Sequence, residues 1–267
     1  MFINCVRDHP SIGLNKNLEE SKVDFSKTYG WNLLKDNGFK CVTQATKWSL
    51  DSYHRKARLK WAKEYIKKPD EFWFRVIFTD ETIAKHKTSR ERYWVEGEFK
   101  PEPAEQDRWG ESRLVWGTIS YEGKCIIEII NGTMKSSIYL DILRRRLLKN
   151  YRKLSLKSGE VDESNCLIFQ QDGSSSHTEK NVNNYFLRKG IQVLPWPAKS
   201  PDLNPIEEVW AWLKNNMKFS YQNGQELEED IKKIWNSLQI SFIKNLYHSM
   251  RDRIQAVIKA EGGPTDY

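Results

Sequence analysis

The chain has 267 residues, 39% hydrophobic and 12% aromatic, which is enough to bury a sizeable core and excludes a disordered polymer. No apolar run approaches the roughly 18 residues of a membrane-spanning helix, no charged-then-apolar leader opens the chain, and Cys5, Cys41, Cys125 and Cys166 are too dispersed for a zinc site or a disulfide framework. Of the net charge of +7, residues 1–70 carry +6 (14 Lys/Arg against 8 Asp/Glu), which suggests a front end that contacts a polyanion, although a solvated charged surface accounts for charge alone equally well.

In chain order, residues 1–20 are punctuated by His9-Pro10, Gly13 and Asn15 and read as loose. A helix is predicted over Ser26–Asp36, capped by Ser26, with Tyr29, Leu33 and Leu34 on one face and Asn37-Gly38 ending it. A strongly basic helix follows over Ser52–Lys67, before the boundary at Pro69-Asp70. A strand is expected over Trp73–Thr79, closed by Asp80, then a polar excursion from Lys85 to Arg108. Strands at Leu114–Ser120 and Lys124–Ile130 are joined by the hairpin signal Tyr121-Glu122-Gly123. A helix over Ser136–Arg152 places Ile138, Tyr139, Ile142, Leu143 and Leu147 on one side. A strand Cys166–Gln170 leads into Asp172. A helix Thr178–Arg188 ends at Gly190, and a strand Ile191–Leu194 follows. The loop 195–201, rich in proline, feeds a helix that begins near Pro205, and two more helices are expected near 225–238 and 240–260.

Three strands, then helix, strand, helix, strand, helix, predict an antiparallel meander extended by right-handed parallel crossovers. The expected fold class is therefore α/β: a mixed sheet of ribonuclease H-like order with flanking helices, preceded by a small helical segment. The expected division is a small helical segment at 1–50, a basic linker helix at 51–70 and a ribonuclease H-like domain at 71–267.

In such a sheet, Asp80 at the end of the first strand, Asp172 after the fourth and Glu207 in the first turn of a helix can converge. Converging carboxylates suit hard divalent cations such as Mg²⁺, and two such ions can clamp the attacking and leaving oxygens of a phosphodiester. Each acid also has a plain structural account. Thr79-Asp80-Glu81-Thr82 and Asp172-Gly173 resemble polar turns. Asn204-Pro205-Ile206-Glu207 resembles a capping box, with Asn204 as the cap. Against that account, Glu207 lies about 100° around the helix from the inward-facing Ile206. Glu81 is expected to point away from Asp80 if the strand continues. His177 serves either to support Asp172 or merely to begin a helix. Trp116 and Trp210 are expected in the core.

The strings Val-Ile-Phe-Thr-Asp80-Glu, Phe-Gln-Gln-Asp172-Gly-Ser-Ser-Ser-His177-Thr and Trp196-Pro-Ala-Lys-Ser-Pro-Asp202-Leu-Asn-Pro-Ile-Glu207-Glu-Val-Trp210 resemble the mariner superfamily of cut-and-paste DNA transposases. The likeness is greatest to the nematode branch, where 34 residues separate the second Asp from the Glu, and it covers about residues 25–260. It implies Asp80, Asp172 and Glu207 as catalytic and metal-binding residues for two Mg²⁺ or Mn²⁺ ions, with His177 and Asn204 supporting them. It also implies double-stranded DNA partners, namely transposon ends and a target usually cut at TA, a homodimer when active, and nuclear localisation. Candidate DNA-binding residues are Lys27, Arg55, Lys56, Arg58, Lys60, Lys63, Lys85, Lys87, Arg90 and Arg92. The family usually has two helix-turn-helix units before the linker, so the first is expected to be missing here, with residues 21–39 as a remnant of the second. Gly173 and Ser175 stand where the family commonly has Asn and Pro or Ala. Two other readings stay open from the sequence: a non-catalytic DNA-binding protein derived from a truncated transposase, and a ribonuclease H-like nuclease without strand transfer.

Overall fold

The computed structural model describes residues 2–8, 18, 21–24, 26–39, 50–85, 112–147, 167–218 and 220–267. They fall into two units, Met1–Trp48 and Ser49–Tyr267. The first contains helices α1 (Phe2–Asp8) and α2 (Lys27–Asp36). As the sequence suggests, Ser26 caps α2, its hydroxyl accepting from Tyr29 N at 3.2 Å. The chain leaves α2 through Gly38 at φ +80°, a left-handed conformation that glycine adopts without steric cost.

In the second unit, α3 (Ser52–Tyr65) starts at Asp51, whose carboxylate accepts from His54 N at 2.8 Å. The next element departs from expectation. Trp73 and Phe74 belong to a short helix, α4 (Asp70–Phe74), because Pro69 with Asp70 and Glu71 behind it makes a favourable helix start. Strand β1 (Val76–Lys85) then begins later than predicted and runs past Asp80 instead of ending there. Its far half is held by β2 (Ser112–Ser120), antiparallel from Phe78↔Ile119 to Lys85↔Ser112. Alternation continues there, with Thr82 and Ala84 buried and Ile83 and Lys85 exposed. The excursion predicted after Lys85 lies almost wholly outside the described residues.

β3 (Gly123–Ile130) pairs with β2, while β4 (Ile168–Phe169) and β5 (Gln192–Val193) add in parallel, giving the order β3-β2-β1-β4-β5. This is the expected mixed sheet. The predicted helix 136–152 appears as α5 (Ser136–Ile142) followed by a π turn at Leu143–Leu147, and 148–152 lie outside the described residues. The helix predicted at 178–188 is broken at Glu179 (φ −57°, ψ 145°) into α6 (Ser175–Thr178) and α7 (Lys180–Lys189). Next come α8 (Ile206–Asn216), α9 (Gly224–Ser237), α10 (Ile240–His248) and α11 (Met250–Lys259).

The two sheet faces carry separate cores. Val76, Phe78, Val115 and Ile119 pack against α3, α4 and α8–α11 through Trp61, Trp73, Val209, Trp210, Ile231 and Tyr247. Ile77, Trp116, Ile126 and Phe169 pack against α5 and α7 through Tyr139, Ile142, Val182 and Phe186. Both Trp116 and Trp210 are core residues, as expected. By alternation, Asp80 shares the first face with Val76 and Phe78, and Glu81 shares the second with Ile77 and Thr79.

Candidate active site

β1 loses one neighbour just before Asp80. Its ladder with β4 ends at Ile77, whose carbonyl accepts from Gln170 N at 2.9 Å. At Thr79 two side-chain amides replace the missing strand: Thr79 N donates to Gln170 Oε1 at 3.1 Å, and Asn204 Nδ2 donates to Thr79 O at 3.0 Å. Buried backbone groups need such partners. The sheet edge opens at Asp80, and Asn204, predicted as a supporting residue, ties the start of α8 to the residue before it.

The capping-box account of Glu207 does not hold. A capping box needs the Glu carboxylate on the cap's backbone N–H. Asn204 N instead donates to Pro201 O at 2.8 Å, and Pro205, already helical at φ −65° and ψ −17°, has no N–H. The Glu207 carboxyl is left to hydrogen-bond with Asp80. Close approach of α8 depends on Gly117, the β2 residue opposite Asp80. A Cβ there would stand 2.5 Å from Trp210 Cη2, one helical turn beyond Glu207.

Asp80, Asp172 and Glu207 all line one cleft of about 290 Å³, together with Gln170, Asn204 and Lys199. Burial, then the Glu207 carboxylate beside it, pushes Asp80 up to about 8. Glu207 is raised too, chiefly by burial. The pair thus shares a proton at neutral pH. Asp172 is settled differently. Burial pulls it upward, but the His177 imidazole at 2.7 Å and Ser174 N at 3.0 Å outweigh this and hold it below the usual carboxylate range. His177 also meets Glu81 through Nε2 at 2.8 Å. Burial would lower its pKa, yet the bonds to Asp172 and Glu81 carry it up to about 9, so the ring is a cation between two acids. Tyr139 lies against that ring, centroids 4.2 Å apart, and donates to Gln171 Oε1 at 2.7 Å.

The donor set fits divalent cations: hard carboxylate oxygens face one cleft, and two of them hold a proton that a cation would displace. Among the described residues, no three acids, histidines or cysteines cluster tightly enough to hold a metal ion; Asp172 is engaged by His177, and Asp80 and Glu207 engage each other.

Of the basic candidates, Arg55, Lys56, Lys60 and Lys63 are exposed along α3, and Lys85 is exposed at the end of β1. Lys27 lies in α2 with its side chain outside the description, and Lys87, Arg90 and Arg92 lie outside the described residues. Arg58 is a correction. It is fully buried, and its guanidinium donates to both Asp202 oxygens at 2.8 and 2.6 Å and to the carbonyls of Lys199, Gly262 and Gly263. It therefore has no donor free for DNA. Its spacing with Trp61, Ala62 and Tyr65, all buried, is the inward stripe of a helix, a signal the basic run concealed. Glu81, Tyr139 and Gly117 were also missed as contributors. Only the alternation along β1 could have marked Glu81.

Residues 75–228 match the family model described as DDE superfamily endonuclease. The Tcb1 transposase of Caenorhabditis briggsae is 31% identical over 221 residues, covering 80% of this chain and 78% of that protein. The Tc3 transposase of Caenorhabditis elegans is 30% identical over 226 residues, covering 82% of this chain and 65% of that protein. Among solved structures, the Mos1 mariner paired-end complex with Mn superposes with a TM-score of 0.73 at 17% identity, over 99% of this chain and 79% of that one. The Mos1 catalytic domain superposes at 0.60, also at 17% identity, over 83% of this chain and all of that domain. These two structural likenesses speak to the fold.

Proposed function

The chain belongs to the DDE superfamily endonucleases, among the Tc1/mariner transposases, and from that premise we propose that Asp80, Asp172 and Glu207 are the three acids with which it cuts and joins DNA. As a DDE transposase it uses divalent metal to excise DNA and transfer strands. The observation that carries the assignment is the half-buried, hydrogen-bonded Asp80–Glu207 pair in a cleft that Asp172 also lines.

Both reactions are in-line displacements at phosphorus. In the first, a water oxygen bonds to phosphorus as the P–O3′ bond breaks, and the water proton balances the freed 3′-hydroxyl. In the second, that 3′-hydroxyl bonds to a phosphorus of the target strand and expels its 3′ oxygen. Divalent ions, when bound, supply the positive charge that activates the attacking oxygen and offsets charge building at phosphorus. Asp80 and Glu207 would hold them by releasing their shared proton. Asp172, oriented by His177, would provide the third carboxylate, and two Mg²⁺ or Mn²⁺ ions are the expected complement. Asn204 and Gly117 keep Glu207 beside Asp80. The exposed Arg55, Lys56, Lys60 and Lys63 of α3 would neutralise phosphates of the bound duplex.

Transposon ends and a target are the DNA partners in this reading. Joining two ends calls for a homodimer, and work on chromosomal DNA calls for the nucleus. The test is Mn²⁺-dependent nicking of supercoiled plasmid, followed by supply of pre-cut ends bearing a 3′-hydroxyl. Parent protein nicks and joins, and Asp172→Asn does neither. Equal nicking by the variant would refute the assignment of Asp172, and nicking without joining would restrict the chain to hydrolysis.

A further inference from the structure

Resting on that reading of the cleft, we propose that Gln170 is a further active-site residue, whose Nε2 donates a hydrogen bond to an oxygen that enters with the metal and DNA, either a phosphate oxygen or a metal-held water.

Gln170 is completely buried and lines the cleft beside Asp80, Asp172 and Glu207. Its amide cannot be turned over. Thr79 N, a donor, points at Oε1 from 3.1 Å, and a flipped amide would set N–H against N–H. Thr79 Oγ1 donates to Gln170 O at 2.9 Å and fixes the same register. Nε2 is therefore committed to face away from β1, and it is a buried donor with no acceptor among the described residues.

The neighbouring Gln171 shows what a purely structural glutamine does here. It is buried too, but it accepts from Tyr139 Oη at 2.7 Å and donates to His177 O at 3.0 Å, so both ends are used. Folded proteins leave few buried polar groups unpaired. The other buried side-chain atoms without partners among the described residues, on Trp116, Thr118 and Trp210, do not line the cleft. Gln170 thus combines an idle donor, a locked orientation and a place among the acids. Oxygen acceptors are what phosphoryl transfer brings there.

Gln170→Glu keeps an oxygen for Thr79 N while removing the donor, at the cost of an added carboxyl group. Gln170→Met removes the donor without adding charge. Both are expected to lower Mn²⁺-dependent nicking about 100-fold, the usual loss for one donor aimed at developing charge. Their cooperative thermal unfolding should be kept. Nicking within threefold of the parent in either folded variant overturns the proposal. A readout independent of turnover is the Gln170 side-chain NH₂ pair in ¹H–¹⁵N spectra, assigned by its loss in Gln170→Glu. A shift with Mg²⁺ alone identifies metal-held water, and a shift only with Mg²⁺ and a pre-cut duplex identifies phosphate; each supports the inference. Suppose the pair stays unmoved while Mn²⁺ raises the melting temperature of the parent but not of Asp172→Asn. Then the inference falls and the site stands. No Mn²⁺-dependent thermal shift in the parent overturns the site reading and the inference with it.

Discussion

Asp202 and Glu207 are five residues apart, and folding treats them in opposite ways. Asp202 is buried with its charge fully matched: Arg58 spans both oxygens, Thr265 N and Oγ1 donate to Oδ2 at 3.2 and 2.9 Å, and Arg253 Nη1 donates to the Asp202 carbonyl at 2.9 Å. Glu207 is drawn under the sheet edge to face another acid. A matched buried charge fixes structure and has nothing left to bind. An unmatched pair of acids is a vacancy for positive charge, which is why strongly shifted carboxylates mark functional sites. The matched knot holds the loop that leads into α8 and Glu207.

Breaking the matched side should have the largest effect on stability. Arg58→Met leaves the Asp202 carboxylate buried without its cation, and removing one partner of such a pair costs about 3–5 kcal/mol. Thermal unfolding should fall by roughly 10 °C for a unit of this size. A loss of under 2 °C would mean that the knot contributes little. Gly117→Ala comes next. Its Cβ would meet the Trp210 ring, and overpacking of this kind costs about 1–3 kcal/mol. Because α8 must yield and Glu207 moves with it, nicking should fall about 100-fold, the penalty for ångström-scale misplacement.

Asp80→Asn sharpens the comparison by changing stability in the other direction. Asp80 is pushed up to about 8 in the folded protein against an ordinary value of 3.8, so the folded state holds a proton that the unfolded chain releases between those values. Its contribution is fully present below about pH 4 and is lost as pH rises toward 8. At pH 8 the variant, free of that penalty, should melt higher without metal, by about 1 kcal/mol in stability, while losing all nicking. Parent protein should show a Mn²⁺-induced rise in melting temperature that grows from pH 5 to pH 8, as the cation replaces the proton; Asp80→Asn should show little. A rise independent of pH would separate metal binding from the Asp80–Glu207 pair.

Much of this was legible in the sequence because each element carries its own signal. Ser26, Gly190 and the turn signal Tyr121-Glu122-Gly123 between β2 and β3 mark their elements locally, and the string from Ser200 to Trp210 marks both the loop and the acid. What escaped depends on distant partners. The reading that ended β1 at Asp80 took two adjacent acids for a turn, whereas β2, more than thirty residues on, carries the strand to Lys85. Glu81 looked like the idle neighbour of Asp80, but the far side of the sheet supplies His177. Arg58 looked like one more cation in a basic run, because its acid lies 144 positions away.

The smallest effect tests that same helix. Arg58 and Lys60 stand two residues apart on α3, so they face different directions, one into Asp202 and one into solvent. Lys60→Ala should leave stability within about 0.5 kcal/mol, as surface substitutions do. It should instead lower the slope of log affinity for duplex DNA against log salt by about 1, the signature of one lost phosphate contact. Arg58→Met, at a temperature where it remains folded, should leave that slope unchanged. If both variants change the slope alike, the helix meets DNA through its general charge, and the division between an inward-facing arginine and outward-facing lysines has no bearing on binding.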